Sequence, residues 1–113
     1  MGRLLQIRVS AWTYSEDEVR KTWPSLWNLA WEDSSAIPKK GVLELADAIF
    51  DAVRAGLIPG NQADVLRENA EKADRLRLAI EKALGDWRPG DADKLTYELE
   101  DTLDALEDSA AKF

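Results

Sequence analysis

Residues 4–14, Leu-Leu-Gln-Ile-Arg-Val-Ser-Ala-Trp-Thr-Tyr, alternate along their length. Leu5, Ile7, Val9 and Ala11 fall on one side, and Gln6, Arg8, Ser10 and Trp12 on the other. A period of two with β-branched and aromatic residues predicts a strand over 4–14 with one buried face. The periodicity then changes. Ser15 is followed three residues later by Glu18, the spacing of a capping box, so a helix starts at Glu16. Pro24 lacks a backbone donor and biases Trp23 away from helical angles. The helix should stop near Thr22, and a further helical stretch over Pro24–Trp31 should begin with proline in its first position. Together these give a short, kinked, Trp-rich helical segment over 16–31.

Residues 32–41 are aperiodic and contain Ser, Lys and Pro, the composition of a linker. Beyond it the helical period dominates. Val42–Ala55 confines its polar residues Glu44, Asp47, Asp51 and Arg54 to a narrow stripe, which predicts a central helix covered on more than one side. Gly56 is placed for a left-handed C-terminal cap, with Leu57 folding back onto the last turn. Asn61 is a candidate N-cap for a long helix through Leu84 that Gly85 ends; Asp91 is a candidate cap for a last helix to about Ala111. The short turns at Pro59-Gly60 and Pro89-Gly90 make these three helices antiparallel neighbours over 42–112. The expected fold is therefore mainly α: an N-terminal β-strand, the short kinked helix, then an antiparallel three-helix bundle, all in one domain spanning 1–113.

A lone strand leaves a row of backbone groups without partners, each costing on the order of 1–3 kcal/mol if buried. The expectation is that a second copy supplies them. Ile7, Val9 and Ala11 would form an antiparallel ribbon across a two-fold homodimer. Trp23, Trp27 and Trp31 recur at i, i+4, i+8. Such a stripe serves either as core, because the rings are large units of burial, or as an exposed recognition patch for an unknown protein partner.

Charge and missing side chains narrow the chemistry. The 113 residues contain no cysteine and no histidine, which removes thiolate nucleophiles, sulfur-ligated metals and the side chain best suited to proton transfer near neutral pH. The net charge of −7 divides into +1 over residues 1–31 and −8 over the rest, a field that disfavours nucleic acid and suits a basic partner. The first residues carry no apolar leader, and no stretch approaches the ~20 apolar residues of a membrane helix. A cytoplasmic protein is expected, with no membrane role.

Acidic residues stand three apart in six places, where chance gives about four. Among them, Glu68/Glu71 followed by Glu98/Asp101 resembles the ExxE…ExxD motif of all-α nucleoside-triphosphate pyrophosphohydrolases. That resemblance implies a Mg²⁺-dependent hydrolase, although the seam of Leu95, Leu99 and Leu106 sets Glu98 and Asp101 to its flanks. The strand followed by a capped helix over 5–22 is similar to ribbon-helix-helix repressors, which implies that Gln6, Arg8 and Ser10 read DNA. The break at Pro24 and the ten-residue linker depart from that family's two closely spaced helices. Asp91-Ala-Asp93 opens like a calcium loop, but Thr96 stands where the glycine is required and Thr102 where the last acid is. No catalytic, cofactor or metal residues are assigned. The leading expectation is a non-enzymatic interaction module, a homodimeric adaptor, assembly factor or inhibitor-type binder; a ribbon-type DNA-binding regulator and the Mg²⁺ hydrolase are the alternatives.

Overall fold

The computed structural model describes residues 4–7, 11–13, 15–31 and 41–113, with backbone alone at 6, 7, 11 and 12. These residues are mainly helical. The elements are β1 (Leu5–Ile7), β2 (Ala11–Thr13), α1 (Glu16–Thr22), α2 (Pro24–Trp31), α3 (Val42–Arg54), α4 (Gly60–Gly85) and α5 (Pro89–Ala110). The expected linker lies outside the described residues except for Gly41, which precedes α3.

The single strand over 4–14 is replaced by a hairpin. β1 and β2 pair antiparallel within the chain, with Leu5 opposite Thr13, Gln6 opposite Trp12 and Ile7 opposite Ala11. Ile7 and Ala11, two of the three residues assigned to a ribbon between copies, are thus each other's partners; the third, Val9, lies outside the described residues. The physical reason is entropic: pairing two segments this close in sequence orders far less chain than recruiting a second molecule does. Leu5, Ile7 and Ala11 keep one alternation across both strands, so alternation alone does not separate one strand from two.

A two-stranded hairpin is marginal alone. Here both strands are tied to the helices. The backbone N–H of Leu5 is directed not at β2 but at Glu100 of α5, 3.1 Å away, and that of Leu4 donates to the same oxygen at 2.8 Å. Thr13 Oγ1 accepts from Val42 N–H at 3.0 Å, so a strand side chain caps α3. Gly41 N–H donates to Glu44 Oε1 at 3.1 Å in the same cap. A Cβ at position 41 would collide with both Thr13 Oγ1 and Glu44 Oε1. Gly41→Ala must therefore rotate two acceptors away from two N–H groups, and should cost about 1–2 kcal/mol. Urea denaturation measures this; a change under a few tenths would show that the cap is dispensable.

The break at Pro24 is as expected. Trp23 sits at φ −128°, ψ 62° between α1 and α2. Its N–H bonds Val19 O at 3.0 Å and its carbonyl accepts from Trp27 N–H at 2.9 Å, which keeps the two helices in register across the break. Ser15 Oγ accepts from Glu18 N–H at 3.3 Å.

In the bundle, α4 packs most extensively on α5 and then on α3; α2 lies against α3 and α5. The core runs through Leu45, Ile49, Leu66, Ala70, Ala73, Ile80, Leu99, Leu103 and Leu106. Two caps differ from expectation. Pro59 and Arg88, not Asn61 and Asp91, are the N-caps of α4 and α5, because Pro59 O accepts directly from Gln62 and Ala63 and Pro89 presets the first turn of α5. Gly56 takes the left-handed conformation at φ 74°, and Leu57 N–H closes the cap on Ala52 O. Leu57 itself points outward, however, and Ile58 is the residue buried there. At the end of α4, Gly85 remains helical. The left-handed position is Trp87, at φ 58°, with Arg88 N–H closing onto Ala83 O at 2.8 Å. A tryptophan thus occupies a position that usually favours glycine.

Arg77 clamps α3 to α4. Its guanidinium hydrogen-bonds Asp74 at 2.8 Å, lies 3.4 Å from Asp47 on α3 and 3.4 Å from Glu81. Burial works against the cation, but the bond from Asp74 and the charges of Asp47, Asp74 and Glu81 outweigh it and raise the Arg77 pKa.

Candidate functional site

α5 carries eight acidic residues and one lysine, a net −7 that equals the charge of the whole chain. Everything outside α5 sums to zero. The excess acidity is therefore a property of one helix, and the structure divides it between two faces.

On the inner face, Glu100, Asp104 and Glu107 stand four and three residues apart, one above another. Each accepts hydrogen bonds from the N-terminal part of the chain. Glu100, only 1% exposed, takes the N–H groups of Leu4 and Leu5. Asp104 Oδ1 accepts from the indole Nε1 of Trp23 at 2.9 Å. Glu107 Oε1 accepts from Ser25 N–H at 2.9 Å and Leu26 N–H at 3.1 Å. These last two donors belong to the first turn of α2, so Glu107 caps α2 from another helix and meets its positive end. Three carboxylates on one face thus hold the hairpin edge, the buried indole and a helix start.

On the outer face, Glu98, Asp101 and Asp108 are exposed, with Tyr97 half-exposed beside them. Among the described residues none of these three acids forms an ion pair. On α3 and α4 several acids are matched in place, Asp51 with Arg54, Asp64 with Arg67 and Asp74 with Arg77, while Glu68 and Glu71 of α4 are exposed like the outer acids of α5.

The tryptophan stripe is split by the fold. Trp23 is fully buried and Trp31 is 4% exposed, so neither ring meets a partner in the folded chain. Trp27 is half-buried and stands edge-on to Trp31, with ring centres 4.9 Å apart. Glu68, Glu71, Glu98 and Asp101, the four residues of the ExxE…ExxD resemblance, are all exposed. Among the described residues no three acidic side chains converge to hold a metal ion. Thr96 and Thr102 are buried and turn their hydroxyls onto their own helix, donating to Asp93 O at 2.6 Å and Glu98 O at 2.8 Å. Of the candidate DNA readers, Gln6 lies in β1 opposite Trp12, while Arg8 and Ser10 lie outside the described residues.

The inner carboxylates were missed by sequence reading. The available signal was the run of acids at i, i+3 and i+4 in α5, which reads equally well as a solvated face. No protein-family profile, curated protein or solved structure matches the chain. Among the described residues, no helix is long and apolar enough to cross a membrane.

Proposed function

We propose that the chain is a non-enzymatic protein-interaction module that docks a basic partner on the outer face of α5. The observation that carries this reading is the contrast within one helix. The acids on its inner face are engaged in holding the fold, while Glu98, Asp101 and Asp108 stand exposed beside Tyr97 without ion pairs among the described residues. A concentrated negative stripe steers a basic partner, and a flanking aromatic ring supplies contact area. Trp27, the half-buried member of the tryptophan stripe, is a second contact for the same class of partner.

The reading requires only one copy of the chain. With β1 paired to β2 and its edge directed at Glu100, the ground for a homodimeric ribbon is gone, and light scattering should return the 12.7 kDa of a single chain. The interaction itself is tested by affinity capture from an extract of the source organism. The expected result is a stoichiometric basic protein whose retention falls as salt rises past the ~8–10 Å screening length of physiological buffer. Glu98→Lys with Asp101→Lys should abolish retention, whereas the control Glu68→Lys with Glu71→Lys on α4 should not. Equal capture by both double variants would refute the placement. Binding to DNA at low salt would instead favour the ribbon-type regulator.

A further inference from the structure

We propose that a cavity between α3 and α4 binds a small monoanion in which a carboxylate is joined to a flat apolar body, that is, an arylalkanoate. The cavity measures about 250 Å³ and is lined by Phe50, Val53 and Arg54 of α3 and by Arg67 and Glu71 of α4. It is separate from the outer face of α5 and does not depend on the interaction proposed there.

The chemistry of the lining selects the ligand. Val53 is 5% exposed and forms an apolar floor. Phe50 is half-buried, and the Arg54 guanidinium carbon lies 5.5 Å from the centre of its ring. That contact holds the guanidinium over an aromatic surface, beside which a second flat ring can be placed. Arg67 brings a second guanidinium from the opposite helix.

Both arginines keep donors to spare. Arg54 gives Nη2 to Asp51, and Arg67 gives Nη1 to Asp64, out of five N–H groups each. These pairs are between exposed side chains on the same helix, the kind that contributes least to stability and is most easily shared with a ligand. A carboxylate fits the guanidinium fork in a bidentate manner. Glu71 in the same lining opposes a second negative charge, so a phosphate or a dicarboxylate is disfavoured. The volume lies just under the ~300 Å³ at which sites for drug-sized ligands begin, which limits the ligand to about ten non-hydrogen atoms and the affinity to the millimolar range.

The test is a titration of the ¹⁵N-labelled full chain, followed by amide chemical shifts, with phenylacetate, phenylacetamide and inorganic phosphate as probes. Phenylacetate should give saturable shifts centred on residues 50–54 and 67–71, with half-saturation at millimolar concentration. Phenylacetamide, of the same shape without the charge, should bind about tenfold more weakly, and phosphate should not saturate. Arg54→Gln with Arg67→Gln changes two exposed side chains and should leave the amide spectrum otherwise intact while removing the phenylacetate response. The proposal is overturned by an absence of saturable shifts up to about 20 mM phenylacetate. Equal responses to the acid and the amide, or an unchanged response in the double variant, would overturn it as well.

Discussion

Trp23→Ala should destabilise the protein by about 3–5 kcal/mol, the range for removing a large aromatic side chain from a closed core. Among the described residues Trp23 is the largest fully buried side chain, and it sits at the break between α1 and α2. The substitution also takes the indole donor from Asp104. Against a total stability of ~5–15 kcal/mol, the loss is a large share of what holds the chain folded. For a chain of this length it corresponds to a fall in melting temperature on the order of 10–20 °C. Trp23→Phe separates the two contributions. It keeps most of the packed surface and removes only the hydrogen bond, so it should cost about 1–2 kcal/mol. Trp27→Ala, at a half-buried position of the same stripe, should also cost less than Trp23→Ala. Urea denaturation of the three variants checks the order. Were Trp27→Ala to prove as damaging as Trp23→Ala, the division of the stripe into core and surface would fail.

The helices were legible because their signals are local. Ser15 with Glu18, the Pro24 break and Gly56 each act through one turn of backbone, and each falls where its chemistry directs. The bundle was legible because the apolar seams of α3, α4 and α5 repeat with the helical period and the turns are too short for anything but antiparallel packing. What escaped were contacts between residues far apart in the chain. The hairpin depends on Ile7 meeting Ala11 and on Glu100, 95 residues beyond Leu5, taking the outward N–H. An acid that accepts backbone N–H groups leaves no periodic mark that distinguishes it from an acid in water. The surface pairs show the same limit at shorter range. Glu68–Lys72 and Glu71–Arg75 have the favourable i,i+4 order, yet the pairs that form include Arg54, Arg67 and Arg77 with the aspartates three residues before them. A short aspartate holds its charge near the backbone, within reach of the long arginine one turn on.

Glu100→Leu tests whether the inner face of α5 is what keeps the hairpin within its own chain. The two N–H groups of Leu4 and Leu5 converge on one carboxylate oxygen, and both residues are buried. An apolar residue of similar size fills the space but accepts nothing, and each abandoned donor costs about 1–3 kcal/mol. The relief of no longer burying a charge offsets part of this, so the net loss should be about 2–4 kcal/mol. Glu100→Gln retains one acceptor oxygen and should lose roughly half as much. Hydrogen exchange locates the effect: the amides of Leu4 and Leu5 should lose protection first, before those of α4 and α5. The freed donors lie along the edge of β1, and an edge with unpaired N–H groups is a template for another chain. The leucine variant should therefore associate as its concentration rises, whereas the native chain should remain at 12.7 kDa. On this expectation the carboxylate keeps the β1 edge from offering its N–H groups to a second copy. If Glu100→Leu keeps full protection at Leu4 and Leu5 and stays at the mass of one chain, the hairpin is secured by its strand pairing and by Thr13, and the carboxylate has no such role.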